Sequence, residues 1–460
     1  MKVQRFITAT GFFIIILAAT ACKDSSPVTP AKSKTDLLTQ TSWQIQKVYD
    51  ISSSPGQKID ITSQMPYVYE TFNKDGTVYT SVMNGTWEFI NQETQILLNK
   101  GTSSQLTLDI LELTETVFHF KANIPSDNGI TVWEMISYPA KISGDRSPVA
   151  NFDTLWNQYN VRYSFFDLKH IDWTALYNIY KPQVTATTTD LDLFKIISSM
   201  LSNLKDGHVN FITPYGNYAY MDWYKKYPQN FLGLNAVIPY MSTDFGNTAN
   251  GYMHYGIISN DIGYVYVGPN FQGNSNTWSS SIDQIIAALK DTRGIIVDIR
   301  NNGGGSDNLA NIVAGRFADR NRTFCYYRWK NISANHSDFT DFIPMTIAPQ
   351  GVRQFTKPVI LLTNRHVFSS AEEAVLMFKS FPQVKCIGDT TGGGSGNPII
   401  LQLPNGWTYW VPRWIMYTTA KETYENIGLA PDIYARITAA DSIAGKDVIL
   451  ERAIQELKKQ

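Results

Sequence analysis

Residues 358–378 read P-V-I-L-L-T-N-R-H-V-F-S-S-A-E-E-A-V-L-M-F. The run 358–362 is short, rich in β-formers and led in by a proline, which predicts a fully buried strand. After the polar turn 363–366, Ala374, Val375, Met377 and Phe378 recur at helical spacing, which predicts a helix. Between the two stand Ser369 and Ser370. A serine where a buried strand turns into a helix has its hydroxyl on a rigid scaffold, and the free N–H groups of the first turn can stabilise an oxyanion. The same serines can equally be mere helix caps, with Glu372 or Glu373 completing a capping box. The stretch alone leaves both readings open.

Working outward, 460 residues are too many for one ordinary core and predict two or three domains. A hydrophobic fraction of 43% supports packed globular units. The 39 basic residues against 40 acidic ones give a net charge of −1, so neither a nucleic-acid groove nor a polybasic membrane patch is expected. Three cysteines, Cys22, Cys325 and Cys386, exclude a disulfide framework. The last two are expected as buried free thiols.

The first residues read as a targeting segment. Lys2 and Arg5 form a positive start, residues 6–18 an apolar stretch too short for a convincing membrane span, and A-T-A-C at 19–22 a small-residue approach to Cys22. This resembles a bacterial lipoprotein signal, 1–21, which implies a lipid anchor on Cys22 and a flexible tether over 22–35. An ordinary secretory signal with a chance cysteine is the other reading. Lys23, where an inner-membrane retention signal would carry Asp, implies an outer-membrane lipoprotein on the periplasmic or cell-surface face.

Residues 36–140 carry short alternating runs, among them 43–49, 86–90, Gln95–Leu98 and Leu106–Leu113, separated by turn signals such as N-K-D-G at 73–76. A small antiparallel barrel or sandwich is predicted, with Trp43 and Trp87 as core plugs. The order of its motifs resembles lipocalin-like domains of bacterial lipoproteins, and no titratable cluster marks it as a seat of chemistry.

Beyond a linker at 139–148, helices are predicted at 151–163, Trp173–Tyr180 and 190–204. Leu193, Ile196, Ile197, Met200, Leu201 and Leu204 form one stripe of the third, with Gly207 as its C-cap. His208 follows directly. The nearly unbroken apolar run 294–299 predicts a central parallel strand, and it ends in R-N-N-G-G-G-S at 300–306 before a helix at 309–317. This strand, glycine turn and helix can bind an anion, but the dinucleotide and P-loop fingerprints are missing. Three adjacent glycines also let main-chain N–H groups approach a reacting carbonyl. A flexible G-G-G-S-G loop is expected at 392–396.

Four segments then match one family in order. L-K-D-G-H at 204–208, I-V-D-I-R-N-N-G-G-G at 296–305, N-R-H-V-F-S-S-A-E-E at 364–373 and Y-E-N-I-G-L-A-P-D at 424–432 resemble the tricorn-core and C-terminal-processing serine peptidases. The resemblance covers residue 151 to the end. It implies an α/β crotonase-like core of β-β-α units over 213–460, preceded by a helical subdomain over 149–212. The C-terminal-processing branch activates its serine with a lysine in a T-F-G-K-G loop; residues 391–396 carry none. The tricorn branch uses a histidine, and His208 and Glu425 stand at the matching positions. Gly207 replaces the serine that tricorn carries beside its histidine.

The resemblance therefore implies Ser369 as nucleophile, His208 as base, Glu425 as orienter of the histidine, and an oxyanion hole from the N–H groups of Ser370 and of Gly303 or Gly304. Serine needs such a base at neutral pH, and imidazole has the ordinary pKa for it. No metal or organic cofactor is implied. The expected partners are a peptide or protein substrate and, through Cys22, a membrane. Too few residues separate His208 from Gly294 for a PDZ domain, so substrate recognition falls to other elements such as the aromatic stretch 215–227. The competing expectations are an inactive tricorn-like protein that binds peptides or hydrophobic ligands, and a crotonase-type acyl transferase whose coenzyme A loop is not visible.

Overall fold

A computed structural model describes residues 32–52, 58–60, 62, 69–80, 84–102, 104–126, 129–140, 145–248 and 251–459. Cys22 and the apolar leader lie outside the described residues. Among the described residues no helix is long and apolar enough to cross a membrane.

The front unit is a barrel. A short helix, Lys34–Thr39, is capped by Ser33, which accepts the Asp36 N–H. Nine antiparallel strands follow, from Ser42–Asp50 to Gly129–Pro139, and the first pairs with the last along its length. Eight strands close the barrel, and the two-residue strand Ile59–Asp60 adds to the end of the first. Alternation fills the inside. Trp43, Ile45 and Val48 of the first strand point in, and Trp43 and Trp87 are core residues as their sequence context predicts. The N-K-D-G signal makes its turn, with Gly76 at φ 83° and the Thr77 N–H held by Asp75 Oδ1.

The remainder is built on a seven-stranded sheet whose strands lie in chain order: Gly246–Asn247, Met253–Ile258, Ile262–Val267, Gly294–Asp298, Val359–Thr363, Val384–Gly388 and Ile433–Tyr434. From Ile262–Val267 onward the pairings are parallel. Strands covered on both faces read as continuous apolar runs, and residues 294–298 and 359–363 are buried throughout. Helices Ser275–Leu289, Asp307–Ala314 and Ser370–Lys379 pack on the face lined by Val265, Val297 and Leu361. The last helix, Val448–Lys458, packs Ile449, Leu450 and Ala453 on Tyr264, Ile296 and Ile360 behind. Arg300 ties that helix down. It is fully buried and donates to both oxygens of Asp298 and both of Asp447, while Asp447 also caps the helix by accepting the Leu450 N–H.

Helices Pro148–Arg162, Trp173–Tyr180 and Asp190–Ser202 form an aromatic-rich cluster against a four-stranded sheet that contains Asn210–Thr213 and Thr408–Pro412. Tyr79 of the barrel joins this cluster and donates its hydroxyl to the carbonyls of Gly406 (2.8 Å) and Ile212 (3.2 Å). One expectation fails here. The helix from Asp190 is C-capped at Asn203, not Gly207, and the positive φ after it belongs to Lys205. Gly207 is small for another reason: an added Cβ would stand 2.7 Å from the Phe368 ring and 2.8 Å from Trp223. Cys325 and Cys386 are free and buried.

Candidate active site

The turn after strand Val359–Thr363 is held by its own polar residues. The Asn364 amide donates to Asn301 Oδ1 (2.7 Å) and accepts the Asn301 and His366 N–H groups. Arg365 donates to the carbonyls of Trp223, Thr391 and Ile427. Neighbouring loops are thereby fixed around the next residues. Ser369 sits at the N-cap of helix Ser370–Lys379 with φ 55° and ψ −129°. That is a costly conformation for a residue with a β-carbon, by about 1–3 kcal/mol, and it projects the hydroxyl away from the helix.

The hydroxyl meets His208. Nε2 of the imidazole lies 3.0 Å from Ser369 Oγ, although 161 positions separate the two residues. The ring packs on Phe368 with centroids 4.7 Å apart, and Phe368 stacks on Trp223 at 4.0 Å. Burial pushes the His208 pKa down to about 4; Asp206 opposes this shift and Lys169 adds to it. The imidazole is therefore neutral at pH 7, with a lone pair available for the Ser369 proton.

Beneath the imidazole lies a buried charge cluster that sequence reasoning missed. Asp206 accepts the backbone N–H of His208 (2.8 Å), the Tyr163 hydroxyl (2.8 Å) and Lys169 Nζ (2.9 Å). Lys169 bridges on to Glu425 Oε1 at 3.0 Å. Burial works against the charged form of every member. Even so, Lys169 holds Asp206 below the usual carboxyl range, and the two carboxylates keep Lys169 above its ordinary value.

The direct role expected for Glu425 needs correction. Its other oxygen accepts the Ser395 N–H (2.9 Å) and hydroxyl (3.2 Å), and it makes no hydrogen bond to the histidine. His208 Nδ1 has no hydrogen-bond partner among the described residues. The path from Glu425 to His208 runs through Lys169 and Asp206. Asp206 stood in the L-K-D-G-H motif, two places from the histidine; nothing in the sequence singled out Lys169.

The glycine loops also differ from expectation. The Gly303 N–H is engaged by Pro269 O (2.9 Å) and the Gly304 N–H by Asn302 Oδ1 (2.9 Å), so neither is free to donate. Ser370 N–H, at the first position of its helix, and Gly305 N–H have no acceptor among the described residues. Gly304 is required for closeness, since an added Cβ would lie 2.6 Å from Phe368 O and 2.8 Å from Ser369 Cβ. The 392–396 loop is buried rather than flexible. The wholly buried Glu372 accepts the N–H groups of Gly393 (2.8 Å), Gly394 (2.7 Å) and Ser369 (3.3 Å), together with the Thr391 hydroxyl. The capping carboxylate and the presented serine thus coexist at one helix start.

These residues line a cavity of about 530 Å³ that contains His208, Ser369, Ser370, Gly303, Gly304 and Gly305. The stretch 215–227 does not line it; Trp223 stands behind Phe368 as backing. Among the described residues no group of three or more His, Cys, Asp or Glu side chains is arranged to hold a metal ion.

Comparison with known proteins agrees with this architecture. The model of peptidase family S41 matches residues 261–435, and that of the tricorn protease C1 domain matches residues 147–202. Carboxy-terminal processing protease CtpA of Bacillus subtilis (strain 168) is 24% identical over 180 residues, which span 39% of this chain and 36% of that protein. The crystal structure of a candidate peptidase from Parabacteroides merdae ATCC 43184 superposes with a TM-score of 0.62 at 36% identity, covering 68% of this chain and 97% of that one. A relative matched at this identity over nearly its whole length, with two family models falling within residues 147–435, establishes that the chain belongs to peptidase family S41.

Proposed function

We propose that the protein is a serine endopeptidase of the cell envelope that works through an acyl-enzyme, with Ser369 as nucleophile and His208 as base. The observation that carries this reading is the 3.0 Å contact between His208 Nε2 and a serine hydroxyl raised on a strained backbone. Ser369 Oγ attacks the scissile carbonyl as its proton passes to Nε2. The oxyanion is held by the Ser370 N–H, with Gly305 N–H as second donor. Collapse expels the amine, which takes the proton from His208, and water then releases the acyl group by the same route. Each oxyanion donor supplies about 2.7–4 kcal/mol of barrier lowering in such sites. Asp206, Lys169 and Glu425 position the histidine from below.

In this reading the core is crotonase-like and the barrel is a lipocalin-like accessory unit. Cys22 carries a lipid that anchors the protein at the outer membrane, on its periplasmic or cell-surface face. The substrate is a peptide or protein. A fluorophosphonate probe tests the chemistry: wild type labels, and Ser369→Ala and His208→Ala do not. A folded wild type that stays unlabelled points instead to a binding protein. Fractionation tests the anchor, since Cys22→Ser should leave the membrane pellet; an unchanged distribution removes lipidation from the reading.

A further inference from the structure

One carboxyl in the catalytic cavity has no part in this chemistry. Glu373 lies one helical turn beyond Ser369, on the same face of the helix. It is 4% exposed, lines the cavity, and its Oε2 is buried with no hydrogen-bond partner among the described residues. Burial, with Asp307 nearby, pushes its carboxyl well above the ordinary range. An unpaired buried carboxyl is expensive, and native structures usually satisfy such a group. Its neighbours indicate what would satisfy it. Asp307 stands exposed at the cavity rim and accepts the Ser370 hydroxyl at 3.3 Å. Trp410, Trp414 and Met416 form apolar walls, and no Lys or Arg lines the cavity among the described residues. Such walls suit a long alkyl stem, the indole faces attract a cation, and the two carboxyls give that cation counter-charges.

We propose that Glu373, assisted by Asp307, forms a specificity subsite for a cationic side chain, lysine or arginine, flanking the scissile bond of the substrate. The proposal rests on the peptidase reading above. A cation placed there pairs with Glu373 on the floor while its stem lies along the tryptophans. A peptide with an acidic or short side chain at that position leaves the carboxyl unpaired and is cleaved poorly.

Benzamidine and its neutral isostere benzamide test the subsite by protecting Ser369 from the fluorophosphonate. In wild type, benzamidine should protect at concentrations roughly tenfold lower than benzamide, the factor expected for a hydrogen-bonded charge pair. That ratio should fall towards one in Glu373→Gln and part of the way in Asp307→Asn. Because the ratio is read within each variant, a change in basal labelling does not disturb it. Equal protection by the two compounds in wild type, or an unchanged ratio in Glu373→Gln, overturns the subsite. If Glu373→Gln does not fold, the wild-type ratio and Asp307→Asn decide. Absence of labelling without any protectant overturns the peptidase reading, and the subsite with it. Cleavage of a random peptide library gives the second readout: Lys and Arg enrichment beside the cut supports the subsite, and labelling with cleavage that lacks this enrichment removes it alone.

Discussion

Among the described residues a cation is twice buried between two carboxylates, and the two clusters do different work. Arg300 between Asp298 and Asp447 is satisfied by paired hydrogen bonds, is fully enclosed, and joins the central sheet to the last helix. Lys169 between Asp206 and Glu425 is a single ammonium with one contact to each, and Asp206 is bound to the backbone of His208. A guanidinium matches a carboxylate along a fixed plane and keeps its charge. An ammonium is a point charge that acts on whatever lies nearby. The first cluster is therefore a joint; the second sets the electrostatic environment of the His208 imidazole, the base in the proposed mechanism. Buried ion pairs are thus not one category, and position relative to the reacting atoms decides what each does.

Removing one partner from the joint should cause the largest change. Asp447→Ala strands Arg300 without half its partners and deletes a helix cap, and we expect a loss of about 3–5 kcal/mol in urea unfolding. The pH dependence of the remaining folded enzyme should be unchanged. A loss below about 1 kcal/mol would show that the joint holds little. On the histidine side, Gly207→Ser tests whether the tricorn-type hydroxyl could be accommodated. The new Cβ collides with Phe368 and Trp223, so about 1–3 kcal/mol of stability should go, with no gain in kcat. A more active Gly207→Ser enzyme would mean that the rings move aside and that His208 Nδ1 lacks only that hydroxyl.

Lys169→Met probes the electrostatics. In the proposed mechanism His208 acts as a base when neutral, and its folded pKa of about 4 lies below the ordinary 6.5. In wild type, kcat/KM should therefore fall only as the pH drops through about 4. By the same linkage the folded state loses stability between about pH 6.5 and 4, because the unfolded chain takes up that proton first. Lys169 helps to hold the pKa down. Its removal should move the acidic limb up by about one pH unit, equivalent to about 1.4 kcal/mol. An acidic limb that does not move would place Lys169 with the joints.

How much of this was legible in the sequence follows from the range of each signal. The strand, turn and helix around Ser369 were legible because periodicity is local, and the parallel centre was legible because Ile295, Ile296 and Val297 are apolar on both faces of a strand covered on both sides. His208 could be paired with Ser369 only through the resemblance, since no local pattern links residues 161 positions apart. The Glu425 assignment found the right cluster with the wrong contact: Lys169 stands between, and a lysine in D-L-K-H carries no periodic mark. The glycine loop was legible as a close approach, but which amide points into the cleft depends on the turn at 303–305, where Gly304 and Gly305 both take positive φ. Gly207 was read as a cap because glycines often end helices, whereas two aromatic rings from distant segments require it.

The backbone of Ser369 has a consequence for which residues the position tolerates. At φ 55° and ψ −129°, glycine would rest where serine is under tension. Relief of about 1–3 kcal/mol, less about 0.5–1 kcal/mol for the freedom glycine gains when unfolded, leaves Ser369→Gly roughly 1 kcal/mol more stable than wild type, measurable as a higher melting temperature. With Ser369 as the proposed nucleophile, the inert variant would outlast the working one, so thermal selection without an activity screen would steadily favour mutants that have discarded the hydroxyl.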